Sequence, residues 1–285
     1  MRRTLSRRQW LAGVAGSVGG IGAAATSSTV ASRALLVEPD LVGVTQHRVA
    51  PTGGAPAART LRVVQLSDLH LDTIGAHEER IAAAVSAQRP NLIVFTGDSI
   101  DNAGRLRVLA EFLDMLDRGV RKLAVLGNRE RSSGVDLREL EQVYARRGCE
   151  LLVNDVAEMR IDGRRVLVTG LDDLIAGTPD PARALVGTEA TPNHLLLTHC
   201  PAQRDSIRWE RVSPVATAGI LDGPTVDLAP YRPQWMLAGH THGGQIRPFG
   251  WAPFRPRGSG RYVSGWYRNP EPPMYVSRGL GTSIV

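Results

Sequence analysis

The chain has 285 residues, enough to bury a substantial core. With 42% apolar and 22% charged residues it is neither disordered, collagenous nor a polytopic membrane protein, and two cysteines exclude a disulfide-built scaffold. The net charge is +6, but residues 1–34 hold five arginines and no acid, which leaves +1 for the rest, so nucleic acid is not expected as a partner.

Those 34 residues pass from Ser6-Arg7-Arg8-Gln9-Trp10-Leu11 into an uncharged Gly/Ala-rich stretch and then into small residues through Ser32. The order resembles a twin-arginine export signal. The apolar stretch is short and weakly apolar against the ~20 residues that a membrane crossing needs. The expected organisation is a signal segment at 1–34, a lead-in and linker at 35–60, and one domain at 61–285. The export machinery is then a partner and the destination is the periplasm, the envelope or the medium. An uncleaved leader would keep the protein at the membrane surface.

From residue 61 onward, short β-rich runs alternate with helical stretches. Leu61 to Leu66 reads as a strand that ends in Ser67-Asp68-Leu69-His70. A helix follows over Glu78 to Gln88, with Ile81, Ala84 and Val85 on its apolar face and Pro90 as its stop. Leu92 to Thr96 is a buried strand running into Gly97-Asp98; a helix over Arg105 to Asp117 leads to the strand Lys122 to Leu126 and then Gly127-Asn128. The order β-α-β-α-β predicts a mostly parallel α/β layer. Further on, Leu195 to Thr198 delivers His199, and Trp235 to Ala238 delivers Gly239-His240-Thr241-His242.

In parallel α/β sheets the ligand crevice lies beyond the carboxyl ends of the strands. Asp68, His70, Asp98, Asn128, His199, His240 and His242 all fall just past such ends. Each signal alone is weak, since Gly-Asp and Gly-Asn are ordinary turn dipeptides and a single histidine is more often structural. Their conjunction predicts one polar edge carrying carboxylates, an amide and imidazoles.

Asp68-Leu-His70, Gly97-Asp98-Ser-Ile-Asp101, Gly127-Asn128-Arg-Glu130, Thr198-His199 and Gly239-His240-Thr-His242 resemble the motif blocks of the calcineurin-like metallophosphoesterases. Gly239 to Ile246, Gly170-Leu-Asp-Asp173, Tyr275 to Ser283 and the leader are similar to the exported bacterial YaeI/YkuE-like branch. The resemblance implies a four-layer α/β/β/α sandwich. It also implies a dinuclear centre, with Asp68, His70 and His242 on one metal, Asn128, His199 and His240 on the other, and Asp98 bridging both. A mixed O/N ligand set suits Mn, Fe or Zn. The implied activity is hydrolysis of a phosphoester, a diester of cell-envelope or lipid-headgroup type, by in-line attack of a metal-bridging hydroxide. The catalytic set is Asp98, Asn128, Arg129 and His199. The alternative is a non-catalytic metal-binding scaffold on the same fold, which would have no need for all seven ligand positions.

The family normally has histidine where this chain has Arg129. Arginine cannot shuttle a proton at neutral pH, but its planar fork can hold a phosphate. Asp101 stands where purple acid phosphatases carry a tyrosine ligand, so that branch is set aside; Asp101 is then either a solvated loop acid or an orienting group. Asp172 and Asp173 either orient a ligand histidine or cap their turn. His47 and His194 are expected to be structural, His77 is placed in a loop where it could face substrate, and Cys149 and Cys200 are expected to be free thiols. Residues 201–234 form a Pro/Gly-rich excursion that is either a lid or a surface loop.

Overall fold

The computed structural model describes residues 42–49, 61–161, 163–207, 211–212, 226–244, 255–269 and 271–281. The arginine-rich leader and residues 208–210 and 213–225 of the 201–234 excursion lie outside them.

Strand β1 (Val63–Leu66), helix α1 (Ala76–Ala87), β2 (Leu92–Thr96), helix α2 (Leu106–Asp114), β3 (Arg121–Val125), helices α3 (Asn128–Ser132) and α4 (Leu137–Ala145) and β4 (Cys149–Leu151) form the first half. Its sheet is four-stranded, parallel throughout and ordered β1-β2-β3-β4. The second half holds β5 (Asp155–Ile161), β6 (Arg164–Gly170), helix α5 (Pro181–Leu185), β7 (His194–Leu197) and helix α6 (Gln203–Ser206). A two-residue antiparallel pair follows, β8 (Arg211–Val212) and β9 (Val226–Asp227), then β10 (Trp235–Ala238), β11 (Gly265–Tyr267) and β12 (Met274–Val276). Here the sheet is six-stranded, ordered β11-β12-β10-β7-β6-β5, with β5 and β11 antiparallel to their neighbours.

The two-residue period of each strand sorts the core into layers. Leu92 and Val94 of β2 and Leu123 and Val125 of β3 meet Val166 and Val168 of β6 and Leu195 and Leu197 of β7 in one cluster between the sheets. The alternate residues Ile93, Phe95 and Ala124 face the other way, onto Ile81 and Val85 of α1 and Leu109, Phe112 and Leu113 of α2. On the far side, Leu196 and Met236 pack with Ala184 and Leu185 of α5. Burying a side chain such as Phe112 or Leu123 contributes about 1.5–3 kcal/mol each. The result is the α/β/β/α sandwich expected from the motif blocks.

Two helices differ from the sequence reading. In α1 the buried positions are Ile81, Ala82 and Val85, so Ala82 and not Ala84 completes the apolar stripe. Helix α2 stops at Asp114 because Met115 and Leu116 bond back only three residues, to Phe112 and Leu113, and the Asp117 carboxylate accepts the Gly119 amide to turn the chain into β3. His77 lies in the first turn of α1, not in the preceding loop, and its Nε2 is 3.2 Å from the Leu280 carbonyl.

Candidate metal centre

β1, β2, β3, β7 and β10 are mutually parallel within their sheets, and their carboxyl ends carry the candidate residues to one edge. Backbone bonds between the loops tie that edge together. Amides of Asp68, His70 and Leu71 donate to the carbonyls of Gly97, Asp98 and Ser99 at 2.9–3.0 Å, and the Gly239 amide donates to the His199 carbonyl at 3.0 Å. The Asp68 carboxylate takes the His240 amide at 2.9 Å, which joins the first strand's loop to that of β10.

Asp68, His70, Asp98, His240 and His242 all have left-handed backbones, with φ between 45° and 71°. Among the described residues only Arg89 and Asn154 share this conformation without being glycine. A non-glycine residue pays roughly 1–3 kcal/mol for such a conformation and holds it only where its surroundings over-determine it. Here all five residues stand just past strand ends and belong to the candidate cluster. Gly97 shows how little room remains, since a Cβ there would lie 2.5 Å from His199 Nδ1.

The four imidazoles form two facing pairs. His70 Nε2 lies 3.1 Å from His242 Nε2, and His199 Nε2 lies 3.1 Å from His240 Nδ1. The Asp98 carboxylate stands between the pairs, with Oδ2 3.8 Å from His70 Nε2 and 3.4 Å from His199 Nε2. Asn128 Oδ1 is 3.1 Å from His199 Nε2, and Asp68 Oδ1 is 3.6 Å from His242 Nε2. All seven sequence candidates for metal ligation are thus in one cluster.

Three of the imidazoles are tethered through their other nitrogen. His199 Nδ1 is 2.9 Å from the Thr96 carbonyl and His240 Nε2 is 2.7 Å from the Arg257 carbonyl. A carbonyl only accepts, so those nitrogens carry the protons, and the inward nitrogens of the neutral rings present lone pairs. His70 Nδ1 meets Asp101 Oδ1 at 2.8 Å in the same way, so Asp101 orients a ring. Two imidazole lone pairs 3.1 Å apart repel unless a proton or a cation lies between them. This donor set therefore fits divalent cations. Asp68, His70 and His242 form one group of ligand atoms that could hold an ion, and Asp68, Asp98 and His199 another.

The electrostatics agree. Burial opposes charge on His199, but Asp98, with Asp68 and Asp173 behind it, outweighs burial and carries the pKa up to about 10. Burial likewise opposes the Asp98 carboxylate, yet His199 and His70 hold it well below the usual range. His240 is pushed down to about 4 by burial and by the charge of His199. Carboxylates in excess of cations draw a proton onto one ring of a pair, and a metal ion competes for the same lone pair.

The remaining candidates resolve individually. Asp172 grips Arg131 with both oxygens, at 2.8 and 2.6 Å, and also accepts the Asp173 and Thr178 amides. Asp173 accepts the Ile175 and Ala176 amides and lies 3.2 Å from Cys200 Sγ. Their bonds are thus those of a turn cap rather than of a ring-orienting group. Arg129 lies against an acid, its Nε 3.6 Å from Asp101 Oδ1 at the rim of the cluster. His194 is buried, His47 packs against Tyr275 at 4.7 Å, and both cysteines are free and buried, their thiols held protonated by burial.

Sequence reasoning missed two residues that shape this edge. Asn154 pins the loop after β6, its Oδ1 accepting the amides of Asp172 and Asp180. Glu130 lies beneath Asp98, its carboxylate accepting the amides of Gly127, Asp98 and Ser99. Burial and the charge of Asp98 push it up to about 7. The spacing Gly127-x-x-Glu130 at a helix start was the available signal, being half of a capping box.

Fold and cluster together define a metal-dependent phosphoesterase. The family model of the calcineurin-like phosphoesterases matches residues 61–244, and the chain belongs to that family. It is 28% identical over 286 residues to the uncharacterized metallophosphoesterase YkuE of Bacillus subtilis strain 168, covering 98% of this chain and 92% of that protein. It is 29% identical over 254 residues to the phosphodiesterase YaeI of Escherichia coli K12, covering 86% and 83%. Among solved structures, a 5'-nucleotidase precursor of Thermus thermophilus aligns with a TM-score of 0.42 and 18% identity, over 78% of this chain and 49% of that one.

Proposed function

We propose that this protein is an exported dinuclear phosphodiesterase, with Asp68, His70 and His242 serving one cation, Asn128, His199 and His240 the other, and Asp98 both. The observation that carries the reading is the pair of imidazole contacts at 3.1 Å flanking Asp98, with the outer nitrogens of three rings already tethered. Two bound divalent ions, of Mn, Fe or Zn, would supply Lewis acidity and a nucleophile at neutral pH.

The protein's own groups do the rest. Thr96, Arg257 and Asp101 keep the ring protons of His199, His240 and His70 on the outer nitrogens, so the tautomers of these three rings need not change when the ions bind. Arg129, at the rim beside Asp101, holds a phosphoryl oxygen and neutralises developing charge, but it cannot protonate a leaving group. The diester preference is supported by the relative named as a phosphodiesterase. Export is supported by Arg7-Arg8 and the apolar, small-residue stretch that follows, and a substrate of envelope or lipid-headgroup type follows from that location.

Protein produced with added manganese should contain two ions per chain and hydrolyse bis(aryl) phosphates faster than aryl monophosphates. One ion per chain, or no turnover of either ester, would overturn the reading. Replacing Arg7 and Arg8 by lysine should leave the protein in the cytoplasm, because the pair is read by a receptor.

A further inference from the structure

Glu130 is 2% exposed, and among the described residues its carboxylate bonds to backbone alone. Oε2 accepts the amides of Gly127 at 3.0 Å and Asp98 at 3.1 Å; Oε1 accepts those of Ser99 at 2.5 Å and Ile100 at 3.4 Å. Three successive amides of the loop after β2 thus converge on one anion, together with one amide of the loop after β3. Such a convergence of amides is an anion nest. A buried carboxylate without a cation is a costly way to join two loops, and well-packed apolar side chains do the same more cheaply. What apolar packing cannot do is fix the orientation of those amides.

Their orientation decides where Asp98 points. The residue sits at φ 52° directly after Gly97 at φ 85°, and Glu130 holds the amide on that strained peptide. The next residue back in α3 completes the grip, since the Arg129 amide donates to Asp98 Oδ1 at 2.9 Å. With the backbone held by Glu130 and Oδ1 held by Arg129, only Oδ2 is left to face both imidazole pairs.

We infer that Glu130 is a positioning residue: it locks the left-handed turn at Asp98 so that one carboxylate oxygen stays within reach of both halves of the cluster. The inference rests on the dinuclear reading. Loss of Glu130 should release the bridge before it releases either set of terminal ligands, so the second cation should be the one that is lost.

The test is Glu130→Gln, which keeps shape and volume but turns an NH2 group toward amide donors. Asp136→Ala serves as the control, because Asp136 caps α4 through the Arg138 amide, away from the cluster. Manganese titration of metal-free protein and the electron paramagnetic resonance of the loaded protein are read beside thermal unfolding. The expected result is a folded Glu130→Gln protein that binds its first Mn²⁺ normally and its second ~10–100-fold more weakly. The exchange-coupled signal should then give way to that of isolated ions, with kcat falling more than KM changes, while Asp136→Ala keeps both ions. A folded Glu130→Gln protein with wild-type affinity and coupling overturns the inference. Should Glu130→Gln fail to fold, Glu130→Asp takes its place under the same criteria, and failure of both to fold also overturns it, leaving a purely structural carboxylate. Wild type binding one ion per chain would instead overturn the dinuclear reading, and this inference with it.

Discussion

Strand β7 begins on one histidine and leads into another two residues past its end, and the two have opposite fates. His194, at the amino end, donates from Nδ1 to the Tyr231 carbonyl at 2.6 Å, while its Nε2 lies 2.8 Å from Thr169 Oγ1. Burial pushes its pKa down to about 4. His199, two residues past the carboxyl-terminal Leu197, is just as buried but sits among Asp98, Asp68 and Asp173, which raise it to about 10. The same side chain, five positions further along the chain, changes from a neutral hydrogen-bonded spacer at the start of the strand to a candidate ligand just beyond its end. Burial does not distinguish them. The carboxylates gathered at the carboxyl ends of neighbouring strands do, so the site belongs to an edge of the sheets and to no single residue.

Removing that gathered charge should have the largest effect. Asp98→Asn is expected to leave the fold intact, verified by circular dichroism, and to lower turnover of an aryl diester by ~10²-fold or more. Retention of more than about a tenth of wild-type turnover would contradict the assignment. His77→Ala, on α1, should cost far less.

Stripping bound cations with a chelator acts on the same edge. At a metal concentration of ~100 Kd each bound ion contributes about 2.7 kcal/mol, so chelation of two should lower Tm by about 10–20 °C. Calorimetry of His194→Gln protein should give the same drop, because that end of β7 holds no cation.

The amino end has its own test, in pH. A buried neutral histidine with a lowered pKa takes up its proton more readily in the unfolded chain. Its contribution to stability is therefore present above pH ~6.5 and is lost as pH falls from there toward 4. At pH 5 the loss is about 2 kcal/mol by linkage. Denaturant unfolding of His194→Gln should show a shallower decline than wild type between pH 6.5 and 4. Parallel curves would mean that His194 is not held neutral.

The smallest effect is expected at Arg129. Wild-type rates should fall more steeply with leaving-group pKa than those of Arg129→His, whose imidazole can protonate a poor leaving group. Equal slopes would show that Arg129 does not stand in for an acid.

The strand ends were legible because the chemistry of this fold is carried one or two residues beyond short continuous apolar runs, the mark of strands buried on both faces. Leu92–Thr96 and Trp235–Ala238 emerge with the boundaries read from sequence, and His199 follows its strand as expected. What could not be read depends on residues distant in sequence. The sequence offers Asp101 as a solvated acid or an orienting group without indicating that the ring it meets is that of His70, 31 positions away, and gives no sign that Glu130 supports Asp98, 32 positions away. His77 was misplaced because the boundary of α1 depends on the Gly75 amide meeting the Glu78 carboxylate, a contact of the folded turn.

By itself, then, the sequence determined which residues stand at the edge, through apolar runs and strand order, and the chemical class of that edge through its mixture of carboxylate, amide and imidazole. Tertiary structure alone decided which nitrogen of each ring faces inward and which way Asp98 points. Those are matters of angle, set by the carbonyls of Thr96 and Arg257, by the amides around Glu130 and by five left-handed peptides. Period and composition carry no information about orientation, because a hydrogen bond depends on the direction of two groups that only packing brings together.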